Sequence, residues 1–300
     1  MLTSLDHVIL AVRDLDAAGA AYRRLLGLAP SWEGVHPGHG TANALFRVDN
    51  TYLELLAPRG DGPLGALVGG WIDAKGEGLL GIAFGSGDIE ACRGALASRG
   101  LAIGPVERGH GRDTRTGAER RWRRAPIPTD RTRGVLVFPI QHDSPADALP
   151  PARPEADPGS VVHGLDHVVL QTADAAATRA LYGDTLGLRL ALDKEFPGWG
   201  VRLMFFRVGG VTVEVAAAIA GGDAGAALPG GSRASAGEDR LHGMSWRVRD
   251  ADAARARLAA AGLDVSEVRQ GRRPGTRVFT VRDGTCGVPT LMIELGPGTR

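Results

Sequence analysis

Only two cysteines, Cys92 and Cys286, occur in the 300 residues, which excludes a disulfide framework and a cysteine-rich zinc cage. No apolar run approaches the roughly 18 residues that a membrane-spanning helix needs. Neither sign of charge dominates: 35 basic side chains face 34 acidic ones, so the chain is not a polyelectrolyte built for nucleic acid. The first residues lack the basic stretch and apolar core of an export signal, and a cytoplasmic protein is the expectation. What is present in excess is glycine, 44 residues, together with alanine and arginine, which reads as genome composition rather than structure. Hydrophobic residues at 43% and charged residues at 23% are the proportions of a soluble globular chain. The length fits one large domain or two ordinary ones.

The chain repeats itself. Leu5-Asp6-His7-Val8-Ile9-Leu10 returns as Leu165-Asp166-His167-Val168-Val169-Leu170, and the same offset then holds without a gap. Tyr22 matches Tyr182, Leu26-Gly27-Leu28 matches Leu186-Gly187-Leu188, and Glu54 matches Glu214. Pro37-Gly38 with Gly40 matches Pro197-Gly198 with Gly200. Between 5–54 and 165–214, 19 of 50 positions are identical, which marks a duplication. A fainter repeat relates Gly81-Ile82-Ala83-Phe84 to Gly243-Met244-Ser245-Trp246. Each of the four units opens with a short strand and reaches an Asp suited to capping a helix. It then runs through an Ala/Leu/Arg-rich helix that stops at a Gly-Leu pair. Further strands follow, so the grammar is β-α-β-β-β, written four times. Residues 143–162 carry five prolines and predict an extended linker; residues 216–239 are rich in Gly, Ala and Ser and predict a mobile connection. The expected organisation is α+β, with domains at 1–142 and 163–300.

Side chains alternate along a strand, so each strand splits into two faces. Val8, Leu10 and Val12 suit a helix-covered face, which leaves His7, Ile9 and Ala11 opposite. Leu53 and Leu55 lie opposite Tyr52, Glu54 and Leu56. In the copy, His167 and Glu214 fall on the corresponding inner face. On the last strand, Leu291, Ile293 and Leu295 are assigned to the helices, and Met292 and Glu294 to the inside. Carboxylates in mid-strand are costly to bury unless paired or coordinating.

These residues carry a resemblance. Paired β-α-β-β-β units with Asp-His-Val on the first strand and an isolated Glu on the last resemble the vicinal oxygen chelate superfamily, over nearly the whole chain. The His36–Asn43 run makes the N-terminal half similar to glyoxalase-like domains in particular. The resemblance implies four modules forming two glyoxalase-like open barrels, with a divalent metal (Fe, Mn, Ni or Zn) at a barrel mouth. It implies His7 and Glu54 as ligands in the first unit, His167 and Glu214 in the third and Glu294 in the fourth, with Gln141 at the matching place of the second. It further implies metal-dependent lyase or isomerase chemistry on a small vicinal-oxygen substrate, with Glu294 moving the proton. The pattern is incomplete: the first strands of units two and four carry Gly81 and Gly243 where a second His is expected. His242 is adjacent, and only a bulge would turn it inward to complete the triad of an extradiol-type dioxygenase. Units can pair in order, or one with four, which would unite His7 and Glu54 with Glu294.

Plainer readings stand beside these. A metal-free small-molecule-binding protein could use the same cleft, with Trp199 or Trp246 as a stacking face. Glu54 and Glu214 could pair with Arg47 and Arg207. His36 and His39 lie in a loop whose copies are Phe196 and Trp199, so only the Pro-Gly-X-Gly turn is shared. Residues 108–133 hold nine arginines; a solvated hairpin ranks first, a rim attracting an anionic substrate second, and nucleic acid last. Neither cysteine has a His partner that suggests a nucleophile. The partner expected is a small-molecule substrate, with a homodimer carried alongside it and no membrane.

Overall fold

The computed structural model describes residues 1–219 and 237–296. Residues 220–236, most of the Gly/Ala/Ser-rich connection, lie outside the described residues, as do 297–300. The first half runs β1 (Leu2–Ala11), α1 (Leu15–Leu26), β2 (Leu28–Ala29), β3 (Trp32–His36), β4 (Thr41–Arg47) and β5 (Tyr52–Pro58). It continues through α2 (Pro63–Lys75), β6 (Gly78–Ser86), α3 (Ile89–Ser98), β7 (Glu107–Asp113), β8 (Glu119–Arg124) and β9 (Leu136–His142). After β10 (Arg153–Pro154) the second half runs β11 (Val162–Thr172), α4 (Ala175–Arg179), β12 (Arg189–Phe196), β13 (Val201–Val208) and β14 (Val211–Ala218). It ends with β15 (Asp239–Val248), α5 (Ala251–Ala260), β16 (Arg269–Gln270), β17 (Thr276–Val281) and β18 (Thr290–Leu295). No described helix is long and apolar enough to cross a membrane.

Local chemistry explains the helix starts. Asp14, Asp88, Asp174 and Asp250 each accept a backbone N–H three residues on, at 3.0 Å, satisfying a donor the first helical turn leaves unpaired. Gly27 ends α1 in the left-handed region, φ 70°, where a side chain would be strained. Tyr22 and Tyr182 are fully buried between the sheets, and the Tyr22 hydroxyl donates to the Thr285 carbonyl of the other half. The helix-facing residues of both sheets merge into one apolar core, from Val8, Leu10 and Leu53 to Val168, Val213 and Met292.

Units pair in order: β1 with β6, and β11 with β15. The crossed arrangement is not formed, so Glu294 lies in a different sheet from His7 and Glu54. The two sheets then diverge. The first closes into an eight-stranded barrel in the order β1-β5-β4-β3-β7-β8-β9-β6, rather than the open barrel expected. Its last seam is β3 on β7, at Gly34–Asp113 and Val35–Arg112. The second stays open, with β12 and β16 at its edges.

Segments between the units cover the barrel. Leu64, Val68 and Ile72 of α2 pack on Ile9, Ala11 and Leu56. The Pro-rich linker is not free: β10 pairs with β2, and Leu149 packs with Trp32, Leu45 and Tyr52. Arg47 donates to the Ala146 and Leu149 carbonyls, so it anchors the linker instead of neutralising Glu54. The Pro37-Gly38-His39-Gly40 turn sits against the start of α2, where a Cβ on Gly40 would meet the Asp61–Gly62 backbone at 2.8 Å.

Candidate active site

Alternation around a closed barrel sends every second side chain inward. The barrel cavity, of about 90 Å³ and open to solvent past His39, Glu107 and Arg108, is accordingly lined from β1 by His7, from β3 by Trp32 and His36, and from β4 by Asn43 and Leu45. Tyr52, Glu54 and Leu56 come from β5, Arg120, Trp122 and Arg124 from β8, and Phe138 and Ile140 from β9. Room for the Trp122 indole comes from β7, where a Cβ on Gly109 would lie 2.4 Å from it.

A bulge orients the polar centre. The β1–β6 register slips between Leu5 and His7, so Asp6 and His7 escape strict alternation and their side chains meet. His7 Nδ1 lies 2.7 Å from Asp6 Oδ1, and His142 Nε2 lies 3.0 Å from Asp6 Oδ2. Burial alone would raise the Asp6 carboxyl pKa, but the bonds to His142 and His7 outweigh it and lower the pKa. With Nδ1–H given to this carboxylate, His7 presents Nε2 to the cavity. There it faces Glu54 Oε2 at 3.4 Å, with the two side chains 4% and 9% exposed. The imidazole also stacks on Tyr52, 4.5 Å between centroids.

Asn43 and His36 complete the cluster. Asn43 Nδ2 donates to Glu54 Oε1 at 2.8 Å and lies 3.3 Å from His36 Nε2. His36 Nδ1 is 2.8 Å from Thr41 Oγ1. Burial depresses the His36 pKa, offset in part by Glu54; the ring is therefore the neutral acceptor this geometry requires. Sequence reasoning ranked His36 first as part of a structural turn, because its copy is Phe196, and second as a substrate contact at the barrel mouth. The available signal was that His36, Asn43 and Glu54 share the inner face on three successive strands, which the register brings together.

The second half repeats part of this. A bulge at Asp166 again turns it toward its neighbour, with His167 Nδ1 2.9 Å from Asp166 Oδ2 and His167 Nε2 3.7 Å from Glu214 Oε2. Burial opposes charge on His167, but Glu214 and Asp166 outweigh it and raise its pKa. Asp166 is completed by Arg247 at 3.0 Å rather than by a histidine. Arg207, offered as a partner for Glu214, stands opposite Thr212 in the β13–β14 ladder, and Phe205 is the residue opposite Glu214.

Glu294 does not join them. Its Oε2 accepts the backbone N–H of Ala251 at 2.8 Å, at the start of α5, and an Arg277 bond at 3.3 Å. Gln141 does the same for Ile89 at the start of α3, at 2.8 Å. The alternation on β18 was assigned with its faces exchanged: Met292 lies in the helix-side core, and Glu294 shares that side. The cause is that a helix N-terminus satisfies a carboxylate as well as an inward cation would.

Two further sequence readings resolve locally. The β11–β15 register skips His242 between Leu241 and Gly243, the slip that on β6 turns Leu80 into the barrel cluster. The bulge required of His242 is thus formed, yet no three His, Cys, Asp or Glu side chains gather as metal ligands among the described residues. Trp246 is core, 1% exposed, whereas Trp199 stacks on Phe196 and lies under Arg272. Burial pushes the Cys286 thiol up to about 11, which disfavours the nucleophilic thiolate.

A bulged first strand, a His–Glu pair on the inner wall and two eight-stranded sheets sharing one helical core define a duplicated glyoxalase-type scaffold. The chain belongs to the glyoxalase-like domain family of the vicinal oxygen chelate superfamily: residues 5–161 match the glyoxalase-like domain. Residues 166–280 match the glyoxalase/bleomycin resistance protein/dioxygenase superfamily. It is similar to the ethylmalonyl-CoA/methylmalonyl-CoA epimerase of Cereibacter sphaeroides, 34% identical over 104 residues, or 34% of this chain and 75% of that enzyme. Human mitochondrial methylmalonyl-CoA epimerase is 41% identical over 64 residues, 21% of this chain and 36% of the human protein. Among solved structures, a triple mutant of 4-hydroxymandelate synthase from Streptomyces coelicolor superposes with a TM-score of 0.69 over 100% of this chain and 94% of its own, at 16% identity. At that identity the likeness concerns the fold alone.

Proposed function

We propose that the N-terminal barrel is the active site of a lyase- or isomerase-type enzyme that moves a proton on a small oxygenated substrate. The observation that carries this reading is the enclosed His7–Glu54 pair, fixed from behind by Asp6 and from the side by Asn43. Between Nε2 and Oε2 this pair can hold or release one proton at a defined point of a largely apolar cavity. General acid–base catalysis requires such a poised pair within reach of the reacting atoms. A proton leaving the carbon beside a carbonyl passes to one member, and the other returns a proton to the neighbouring oxygen or to the same carbon.

The divalent metal that the resemblance implies would need donors that this cavity supplies only in part. A catalytic ion takes about three protein ligands, and His7 with Glu54 supplies two. His36 Nε2 and Glu54 Oε1 share the Asn43 amide, and the second unit presents Ala83, Phe138 and Ile140 at this level. This set does not fit a resident ion. The epimerase relatives act, by their names, on malonyl-type CoA thioesters, and epimerisation also moves a carbon-bound proton. A cavity of about 90 Å³ would admit the acyl end of such a molecule and leave its nucleotide outside.

The test is deuterium wash-in from D2O into a panel of small 2-oxo and 2-hydroxy carboxylates, with metal content measured on the same preparation. Exchange catalysed without stoichiometric metal supports the reading. Binding with no exchange of any panel member would instead favour the sequestering protein, and exchange that needs added manganese, nickel, zinc or ferrous iron would restore the metal.

A further inference from the structure

The arginine hairpin divides by the same alternation that builds the barrel. Arg121 and Arg123 point outward and reach Glu119 at 3.1 Å and Asp143 at 2.9 Å. Arg124 points inward, and its cation is matched by Glu107 at 3.3 Å. Arg120 also points inward, is 7% exposed, and is the most buried of the four. No carboxylate among the described residues lies within ion-pair distance of it. Its guanidinium instead sits 5.7 Å from the Trp32 ring centroid and 5.7 Å from that of Tyr52. Tyr52 offers no counter-charge, because burial, reinforced by Asp6, holds its phenol well above the ordinary range.

A buried cation without an anion is costly, and aromatic faces repay part of that cost. The other acids near the cavity are engaged: Asp6 by His7 and His142, Glu54 by Asn43 and His7, Glu107 by Arg124. Arg120 also borders a larger depression toward Asp6 and Arg47, of about 520 Å³, but the side between the Trp32 and Tyr52 rings is where desolvation makes a charge-assisted bond strongest.

We propose that Arg120 is a carboxylate-binding subsite, so that this site takes a small monocarboxylate with a compact apolar or aromatic body. The carboxylate forks onto the guanidinium, and the body lies against Trp32, Tyr52, Trp122 and Phe138. One planar cation matches one carboxylate in charge and geometry; a phosphate dianion would leave a buried negative charge over. The inference rests on the proton-transfer reading only for what happens next to the bound carboxylate, since His7 and Glu54 line the same cavity.

The experiment measures calorimetric affinities for benzoate, phenylacetate and 2-oxobutyrate against their neutral amides. The expected result is a preference of at least tenfold for the carboxylate in one or more pairs. R120M abolishes that preference while leaving amide affinity within about twofold, and R120K retains part of it. Thermal melting checks that both variants fold; the wild-type comparison needs no variant. Equal affinity within every pair, absence of binding by all of them, or an unchanged preference in R120M overturns the subsite. The two readings separate cleanly. Carboxylate preference without proton exchange sinks the catalytic reading alone, and exchange that persists in R120M with unchanged KM sinks the subsite alone.

Discussion

The two halves keep the same Asp–His–Glu arrangement on the same bulged strand and differ in what surrounds it. In the first half the pair is enclosed: His7 and Glu54 are 4% and 9% exposed, against 17% and 14% for His167 and Glu214. Asn43, His36, Tyr52 and His142 stand where the second half has Leu203, Phe196, Thr212 and Leu295. The first sheet closes through β3 and β7; the second, among the described residues, leaves β12 and β16 as open edges. Duplication thus preserved the dyad, and the walls decide which copy can exclude water from a reaction.

The sharpest way to break this comparison is to remove each histidine in turn. H7N should lower proton exchange by about 100-fold or more, the usual contribution of a positioned acid or base, whereas H167N should change it less than about threefold. Both variants should keep the carboxylate preference of Arg120. Equal losses would mean that the open copy is also a working site, and a loss confined to H167N would reverse the assignment.

The second prediction exchanges a wall residue. N43L gives the first half the residue of the second and strips Glu54 Oε1 of its donor inside a buried cluster. An unsatisfied buried acceptor costs about 1–3 kcal/mol, so urea unfolding should show that loss. The reverse change, L203N, puts an amide into the buried cluster of Leu203 with Val201 and Ala216, so it should also destabilise and not rescue. If N43L is as stable as the parent, Asn43 is not supporting Glu54.

Why some of this was legible in the chain and some was not follows from range. Caps at Asp14, Asp88, Asp174 and Asp250, and the inward placement of His7 and Glu54, are local: a side-chain bond three residues on, or a period of two. Closure is not local, because β3 meets β7 across some eighty residues through two backbone positions. The Arg-rich strand could be assigned to solvent or cavity only once closure gave it an inside. Glu294 was misplaced because alternation supplies two faces without saying which is inner, and a helix N-terminus competes for the same carboxylate. The α2 cover was marked by Leu64, Val68 and Ile72 at helical spacing behind Pro63, but glycines at 65, 69 and 70 obscure that signal.

Acid sensitivity offers the third prediction, in the open half. Burial raises the Asp166 carboxyl, but His167 and Arg247 prevail and bring it from 3.8 to about 2. A depressed folded pKa stabilises above pH 3.8, and that contribution is lost as pH falls toward 2. The difference corresponds to roughly 2 kcal/mol at neutral pH. D166N should therefore lower stability by about that amount at pH 7 and by much less near pH 2, followed by urea titration at each pH. A constant deficit at both values would show that geometry rather than charge accounts for the loss.

The smallest effect belongs to Glu294, and it tests the location that the sequence misjudged. E294Q gives β18 the residue that β9 carries as Gln141, which already accepts the N–H of Ile89 at the start of α3. The amide oxygen can keep the bond to Ala251, so the variant loses only the charge at the helix N-terminus and the contact with Arg277. Such a term contributes about 0.3–1 kcal/mol and is screened by salt, and Arg277 retains Asp252 as a partner. The expected outcome is a small drop in melting temperature that shrinks at high ionic strength, with proton exchange and metal content unchanged. A fall in exchange of tenfold or more in E294Q, with the fold intact, would return Glu294 to the chemistry and make the open half a second catalytic site.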